Sequence, residues 1–302
     1  MVQQKKMVVV GGAGFIGSNI VEALVARGDE VHVIDNLVGG KREQVDPKAT
    51  LHEVDMLDYD AIAPVLQGAD TVFLLAALPR VQFSIEYPRE SNDTNVGGLV
   101  SVLTAAKDGG VRRVVYSASS SAYGDQDVMP LVESMPAHPL SPYGLQKYIG
   151  ELYCRLYSEV YGIETVSLRY FNVYGKNQDP EGAYALVIGK FLKQKADGLP
   201  LTITGDGEQT RDFTHVRDVV RANLLASESA SVGRGEVMNI GGGNNCSINR
   251  LAELIGGPVE HVQARLEPKN TLADTTRAYE LLSWEPEVML EEGIRELLLA
   301  QA

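Results

Sequence analysis

The sequence predicts an α/β fold in which a doubly wound parallel sheet carries helices on both faces. Short apolar runs rich in β-branched residues, such as VVV at 8–10, recur along the first 170 residues, and helical patterns fill the gaps between them. The first run ends in the glycine-rich turn GGAGFIG, which opens a helix. Strands that alternate with helices at this spacing indicate parallel pairing, because parallel neighbours need a long crossover connection.

The elements follow one another in a regular order up to residue 170. After MVVVGG, the predicted strands are EVHVID at 30–35, TVFLLAA at 71–77, VRRVVYSAS at 111–119 and ETVSLRY at 164–170. The helical patterns lie at 18–27, 94–107 and 142–161. After residue 170 the chain becomes loop-rich, with a lone strand in LPLTITGDG and a helix in HVRDVVRANLLASES. We therefore expect a smaller second lobe, built from segments that leave the sheet and return to it.

Composition excludes several classes of function. The formal net charge of −13 argues against a nucleic-acid partner, so an anionic substrate would have to meet a few well-placed cations. The two cysteines, Cys154 and Cys246, form no C-x-x-C pair, and the five histidines have no ligand spacing, so we expect reduced thiols and no metal. No signal segment or membrane-length apolar run is present, which predicts a cytoplasmic protein without a membrane partner.

The glycine-rich turn predicts a dinucleotide site. Gly11, Gly14 and Gly17 form G-x-x-G-x-x-G between the first strand and its helix, where bare backbone lets a diphosphate approach the helix N-terminus. Asp35 ends the second strand at the spacing expected of a carboxylate that binds the ribose hydroxyls and repels a 2′-phosphate, which favours NAD over NADP. Asp55 ends the next strand-like run and is either an adenine contact or an ordinary turn residue.

A tyrosine and a lysine stand one helical turn apart in SPYGLQKY. Tyr143 and Lys147 are at i and i+4, so they share a face of the predicted helix. The pair is either a surface tyrosine along a lysine stem or a phenol whose proton is made easier to lose by a fixed positive charge.

With these pieces in order, the chain resembles the extended short-chain dehydrogenase/reductases. More narrowly, it resembles their nucleotide-sugar (UDP-glucose/UDP-N-acetylglucosamine) 4-epimerases. The resemblance covers nearly the whole chain, and besides the pieces above it rests on YSASSSAYGD (116–125), LSPYGLQK (140–147), LRYFNVYG (168–175), GDGEQTRDFTHVRD (205–218) and NTLADTTRA (270–278). It implies a Rossmann-type domain that binds NAD, formed by 1–170 plus 213–240, and a smaller C-terminal nucleotide-sugar-binding lobe formed by 171–212 and 241–302. It also implies a homodimer paired through the two long helices.

The resemblance assigns roles to particular residues. Tyr143 is the base that takes the proton of the sugar 4-hydroxyl, Lys147 favours its phenolate, and Ser119 hydrogen-bonds the reacting oxygen. The implied cofactor contacts are Gly11, Gly14, Phe15, Ile16, Gly17, Asp35, Asn36, Asp55, Met56, Ala76, Ala77, Asn95, Ser117, Tyr143, Lys147 and Tyr170. The implied substrate contacts are Ser119, Ser120, Ser121, Tyr143, Asn172, Arg211, Arg265 and Thr271.

Three positions bear on the reaction and the substrate. Related 4,6-dehydratases carry Asp–Glu directly after the Ser/Thr, where this chain has Ser120 and Ser121, so elimination of water is disfavoured. Arg211 matches an arginine that grips the diphosphate, whereas the segment around Arg265 is one residue shorter than in many relatives. In the 4-epimerases that this chain resembles, a bulky residue at the position of Thr271 excludes a 2-acetamido group, so the resemblance implies room for an N-acetylated sugar. The alternatives are a pocket tightened by another residue and a glucuronate epimerase, which can also carry a small residue here.

The leading expectation is therefore an NAD-dependent 4-epimerase of UDP-glucose and UDP-galactose that also accepts UDP-GlcNAc and UDP-GalNAc. The alternatives are a UDP-glucuronate 4-epimerase, a nucleotide-4-keto-sugar reductase and a non-catalytic dinucleotide sensor.

Overall fold

A computed structural model describes residues 4–179, 187–263 and 269–301 of the chain. In these ranges the strands are, in chain order, β1 (Lys6–Val10), β2 (Glu30–Asp35), β3 (Thr50–Glu53), β4 (Thr71–Leu74), β5 (Arg113–Ser119), β6 (Glu164–Tyr170), β7 (Val173–Tyr174), β8 (Leu201–Thr204), β9 (Thr210–Arg211), β10 (Thr214–His215), β11 (Arg234–Ile240), β12 (Cys246–Ser247) and β13 (Val259–Val262). The α-helices are α1 (Phe15–Arg27), α2 (Tyr59–Leu66), α3 (Val81–Glu86), α4 (Pro88–Asn92), α5 (Gly98–Asp108), α6 (Pro142–Tyr161), α7 (Val187–Ala196), α8 (Val216–Glu228), α9 (Ile248–Ile255), α10 (Thr276–Leu282) and α11 (Leu290–Ala300).

The central sheet has seven strands in the order β11-β6-β5-β4-β1-β2-β3, and every pairing in it is parallel. The chain starts in the middle at β1, runs outward to β3, and then crosses back to β4 and on to β11. The predicted α/β doubly wound sheet is confirmed. The strand order reverses between β1 and β4, which is where this architecture opens a crevice for ligands. The residue boundaries of the two lobes stay a prediction.

The two faces of the sheet bury alternate residues of the same strands. Met7 and Val9 of β1 pack in a core that includes residues of α1 and α8, whereas Val8 and Val10 pack in a second core with residues of α2, α5 and α6. Both sets are fully buried, because a strand alternates its side chains and each face here is covered by helices. β1 is apolar from Met7 to Val10 because it lies inside the sheet and both of its faces are buried.

The C-terminal segments build a third core from α7, β8, α9 and α11. The strand expected to be alone, β8, pairs in parallel with β13. The two strands lie more than 50 residues apart in the chain, and this separation hides the pairing from local patterns. Within the described ranges, no helix combines the length and the apolar character needed to cross a bilayer.

Candidate active site

Glycine at positions 11 and 17 lets the loop after β1 fold tightly against its neighbours. Gly11 has φ +86°, and a Cβ added to it would lie 2.5 Å from the backbone nitrogen of Ala76, in the segment that follows β4. A Cβ on Gly17 would collide with the carbonyl oxygen of Gly11. Only glycine at these positions allows the two loops at the strand-order reversal to meet this closely.

The N-terminus of α1 has free main-chain donors at this crevice. Gly14 is the N-cap residue and no side chain caps the helix, so the first-turn N–H groups of Phe15, Ile16 and Gly17 have no partner within the helix. These donors and the positive end of the helix dipole favour a diphosphate. The residues present therefore fit the phosphates of a dinucleotide.

The acids at the ends of β2 and β3 line up at the same edge of the sheet. The carboxylate of Asp35 accepts hydrogen bonds from Ala13 N (2.9 Å) and Leu37 N (2.8 Å) and is 8% exposed. Because each carboxylate oxygen can accept more than one bond, a ribose hydroxyl can still be bound. Asn36 donates through Nδ2 to Asp55 Oδ2 at 2.8 Å, so these two predicted cofactor residues are held together.

Asn95 holds the segment that follows β4. Its Oδ1 accepts a bond from Leu78 N (2.7 Å), and its Nδ2 donates to Gln146 Oε1 on α6 (2.8 Å). Ala77 lies directly before Leu78, so Asn95 holds in place the segment after β4 that borders the crevice. Asn95 occupies a π-helical turn before α5, a feature that recurs at functional sites. Met56 is 6% exposed and packs against α5.

A buried polar network lies under the centre of the crevice. Lys147 Nζ donates to the carbonyl oxygen of Ser117 at 2.7 Å. The hydroxyl of Ser117 lies 3.0 Å from that of Tyr170, which in turn bonds to both the carbonyl and the amide nitrogen of the Asn223 side chain at 3.0 and 2.8 Å. Tyr170 is therefore anchored from two sides, and α8 contributes a residue, Asn223, that sequence patterns did not reveal.

The first turns of α6 place the predicted base. Ser141 is the N-cap and accepts a bond from Gly144 N, and Pro142 starts the helix, where its missing N–H costs nothing. The N–H of Tyr143 donates to Ser84 Oγ of α3 at 3.1 Å, and the Tyr143 phenol is hydrogen-bonded to Ser119 at the end of β5. Lys147 follows one turn later on the same face. The structure thus places the Tyr143 phenol on Ser119, and it places Lys147 Nζ on the main chain of Ser117, two residues before Ser119.

Burial disfavours the charged forms of both Tyr143 and Lys147. Desolvation raises the pKa of Tyr143 to about 12, against the hydrogen bond from Ser119, which lowers it. Desolvation also lowers the pKa of Lys147 to about 8, although the carboxylate of Glu151, one turn further along α6, favours the ammonium. At neutral pH the site therefore holds a neutral phenol near a lysine that is still charged, and further positive charge is needed to form the phenolate.

The two residues after Ser119 carry hydroxyls only. Ser120 and Ser121 form a short 3-10 turn, and Ser121 donates to Ser119 through its hydroxyl (2.8 Å) and its N–H (3.2 Å). Ser121 therefore orients Ser119.

Three predicted substrate residues lie around the backbone of a single residue, Asp212. Asn172, at φ +30°, donates from Nδ2 to Asp212 O at 3.0 Å, and Thr271 Oγ1 accepts from Asp212 N at 3.3 Å. Arg211 precedes Asp212, is 8% exposed, and donates to Thr210 O at 2.8 Å. Arg265 lies outside the described residues.

Sequence reasoning missed two buried groups near the site. Burial raises the pKa of Asp212 to about 6, against hydrogen bonds from main-chain N–H groups. Glu151 on α6 and Arg169 on β6 form a two-pronged ion pair with N–O distances of 2.8 and 2.7 Å, and Arg169 stacks over the Tyr123 ring at 4.5 Å. An arginine inside the apolar run ETVSLRY was the available signal, because a buried charge needs a partner. Among the described residues, no group of three or more potential ligands could hold a metal ion.

Comparisons with known proteins show the family of the chain. The sequence model of the NAD-dependent epimerase/dehydratase family matches residues 7–241. The solved UDP-glucose 4-epimerase of Thermotoga maritima, with UDP-glucose, is 38% identical over 97% of both chains, with a TM-score of 0.92. A UDP-N-acetylglucosamine 4-epimerase from Methanobrevibacter ruminantium, in complex with UDP-N-acetylmuramic acid, is 37% identical over 100% of both chains (TM-score 0.94). A UDP-glucuronic acid 4-epimerase from Bacillus cereus, in complex with UDP-glucuronic acid and NAD, is 32% identical over 98% of both chains (TM-score 0.89).

Proposed function

The chain belongs to the NAD-dependent epimerase/dehydratase family, and from that premise we propose that it is an NAD-dependent 4-epimerase of UDP-sugars. The observation that carries the proposal is the grouping of Ser119, Tyr143 and Lys147 at a crevice with a dinucleotide-type glycine loop. The serines that follow Ser119 support epimerisation over elimination of water, which needs a further acid and base.

The proposed reaction passes through a 4-keto sugar. Tyr143 takes the proton of the 4-hydroxyl and later returns it, while Ser119 hydrogen-bonds the reacting oxygen. When bound, NAD supplies the reversible oxidation of C4 and a positive ring that favours phenolate. Deprotonating a phenol of pKa about 12 at pH 7 costs about 7 kcal/mol, at about 1.4 kcal/mol per pH unit. Lys147, whose Nζ donates to Ser117 O, keeps a positive charge in this buried site, and the positive ring of the bound cofactor would add to it.

The sugar specificity is proposed from the size of Thr271. This residue is 9% exposed, and its hydroxyl is engaged by the N–H of Asp212. A side chain this small leaves room for a 2-acetamido group, so we expect UDP-GlcNAc and UDP-GalNAc to be interconverted as well as UDP-glucose and UDP-galactose. The UDP-glucuronic acid 4-epimerase similarity supports UDP-glucuronate as the second candidate.

The test is NMR of each UDP-sugar with the wild type and two variants at Thr271. Thr271→Tyr should abolish turnover of the N-acetylated pair, since overfilling costs on the order of 1–3 kcal/mol or more, and should spare the glucose pair. Thr271→Ser keeps a small side chain and the hydroxyl that accepts from Asp212 N, and it should retain both pairs. Turnover of UDP-glucuronate alone would replace the proposed specificity, and no turnover of any UDP-sugar would overturn the function.

We also propose a homodimer that pairs through α5 and α6. Leu145, Leu152 and Leu156 of α6 are 47%, 37% and 47% exposed and recur at helical spacing, which leaves an apolar stripe on the surface of one chain. Leu156→Glu should give a monomer by light scattering. Leu299→Glu, at an exposed leucine of α11, is the matched control and should leave the mass unchanged.

A further inference from the structure

Asp212 is a buried acid whose charge is met by main-chain groups from two separate segments. Its side chain is fully buried. Its Oδ1 accepts from Gly242 N at 2.8 Å, in the loop after β11, and its Oδ2 accepts from Ala273 N at 2.9 Å. Bonds from N–H groups to an ionised carboxylate are stronger than bonds between neutral groups. The carboxylate therefore fastens these two segments to the end of β9.

The glycines after β11 leave the space that this carboxylate occupies. A Cβ on Gly241 would lie 2.7 Å from Asp212 Oδ2, and a Cβ on Gly242 would collide with the carbonyl oxygen of Phe213. Asn244, in the same loop as these glycines, binds the main chain of Phe213 through its side chain. Its Oδ1 accepts from Phe213 N at 3.1 Å, and its Nδ2 donates to Phe213 O at 2.8 Å. The run GGGNN at 241–245 thus packs directly against Asp212 and Phe213.

The main chain of Asp212 contacts the predicted substrate residues directly. Its carbonyl accepts from Asn172 Nδ2 and its N–H donates to Thr271 Oγ1, while Arg211 is its neighbour in the chain. One residue therefore joins four segments, and three of them carry a predicted substrate contact.

We propose that Asp212 is a positioning residue that holds Asn172, Arg211 and Thr271 in the arrangement that binds the nucleotide sugar. The inference rests on the proposed function. Because Asp212 bonds only to loops of this site in the contacts above, its loss should weaken nucleotide binding more than it slows the chemical step at Tyr143.

The test compares Asp212→Asn with a matched control, Asp218→Asn. Asp218 is 2% exposed and likewise accepts two main-chain N–H bonds, from Glu287 and Val288 at 3.0 Å, but it ties α8 to a loop before α11. Each variant replaces one carboxylate oxygen by an amide nitrogen, and Asp218→Asn also loses the ion pair with Arg221 (3.5 Å), so both variants should be less stable. Only Asp212→Asn should raise the Kd for UDP, measured by calorimetry, and the KM for UDP-glucose, each by about tenfold, with kcat within about threefold and NAD retained.

A second variant keeps the inference testable if Asp212→Asn does not fold. Asn244→Ala removes the side-chain bonds between the loop after β11 and Phe213 but leaves the Asp212 carboxylate unchanged. It should also raise the Kd for UDP, by a smaller factor than Asp212→Asn does. Wild-type Kd and KM in Asp212→Asn, or in Asn244→Ala where the first variant is insoluble, would overturn the positioning role alone. Equal KM increases in Asp212→Asn and Asp218→Asn would also overturn it. Failure of the wild type to bind UDP would overturn the proposed function, and this inference with it.

Discussion

Replacing Gly14 by alanine is expected to weaken NAD binding without disturbing the fold. Gly14 has φ −82° and ψ 178°, which alanine adopts without strain. The nearest protein atom to an added Cβ is the carbonyl oxygen of Gly11 at 3.4 Å, an ordinary contact. The methyl group therefore clashes with nothing in the protein, but it adds bulk beside the first-turn N–H groups of α1 that a diphosphate must reach.

The size of the effect follows from the bonds at stake. A hydrogen bond to a charged group contributes about 1.5–3 kcal/mol. Losing one such bond to the diphosphate raises the Kd for NAD roughly 10- to 100-fold, at 1.4 kcal/mol per factor of ten. The NAD-free variant should stay within about 1 kcal/mol of the wild type in unfolding free energy, because alanine at a compatible position also reduces the entropy of the unfolded chain.

Gly17→Ala is the contrasting variant in the same loop. Its Cβ would collide with the carbonyl oxygen of Gly11 and lie 2.8 Å from the Cα of Gly12, and neither backbone atom can move as a flexible side chain would. The overpacking costs about 1–3 kcal/mol, against a helix-propensity gain of up to about 1 kcal/mol. Gly17→Ala should therefore be less stable even without NAD.

The assay measures two quantities for each variant. The Kd for NAD is measured by titration of protein stripped of cofactor, and urea unfolding is followed on the same protein. If Gly14→Ala binds NAD with the Kd of the wild type, the assignment of Gly14 to the diphosphate is wrong. If NAD-free Gly17→Ala is as stable as the wild type, the steric argument is wrong.

Three further predictions concern α6. Tyr143→Phe should retain NAD but lose about 100-fold or more in kcat, the usual contribution of a positioned acid–base group; activity within a few-fold of the wild type contradicts this. The pKa of Lys147 is lowered from 10.5 to about 8, so the folded state binds its proton less tightly than the unfolded chain. Burial of the charged lysine therefore lowers the free energy of unfolding by about 3 kcal/mol below pH 8, and this destabilisation disappears as the pH rises through 10.5. Lys147→Met should therefore gain stability relative to the NAD-free wild type by about 2 kcal/mol more at pH 7.5 than at pH 9.5, and a pH-independent difference in urea unfolding would contradict it. Glu151→Gln should lower the unfolding free energy by about 3–5 kcal/mol because it leaves the buried charge of Arg169 without a carboxylate partner. Glu151→Leu combined with Arg169→Met should recover much of this loss, because it removes both buried charges. A loss below 1 kcal/mol would mean that the pair is not buried as a unit.

The sequence alone determined the sheet architecture and the position of the glycine-rich loop between the first strand and its helix. Continuous β-branched runs predict strands buried on both faces, and the G-x-x-G-x-x-G spacing needs only a strand and the helix after it. The i, i+4 relation of Tyr143 and Lys147 is likewise fixed within one turn of helix. These features are readable because each depends on neighbours within a few residues in the chain.

The tertiary structure decided which distant groups contact the predicted site residues and their neighbours. Asp212 meets Gly242 and Ala273, 30 and 61 residues away, and Asn223 meets Tyr170 at a separation of 53. No local periodicity encodes these contacts, since a side-chain oxygen can satisfy any main-chain N–H that packing brings within reach. Burial is what makes them specific: once water is excluded, each polar group must find its partner in the protein, and only the folded chain determines which partner is near.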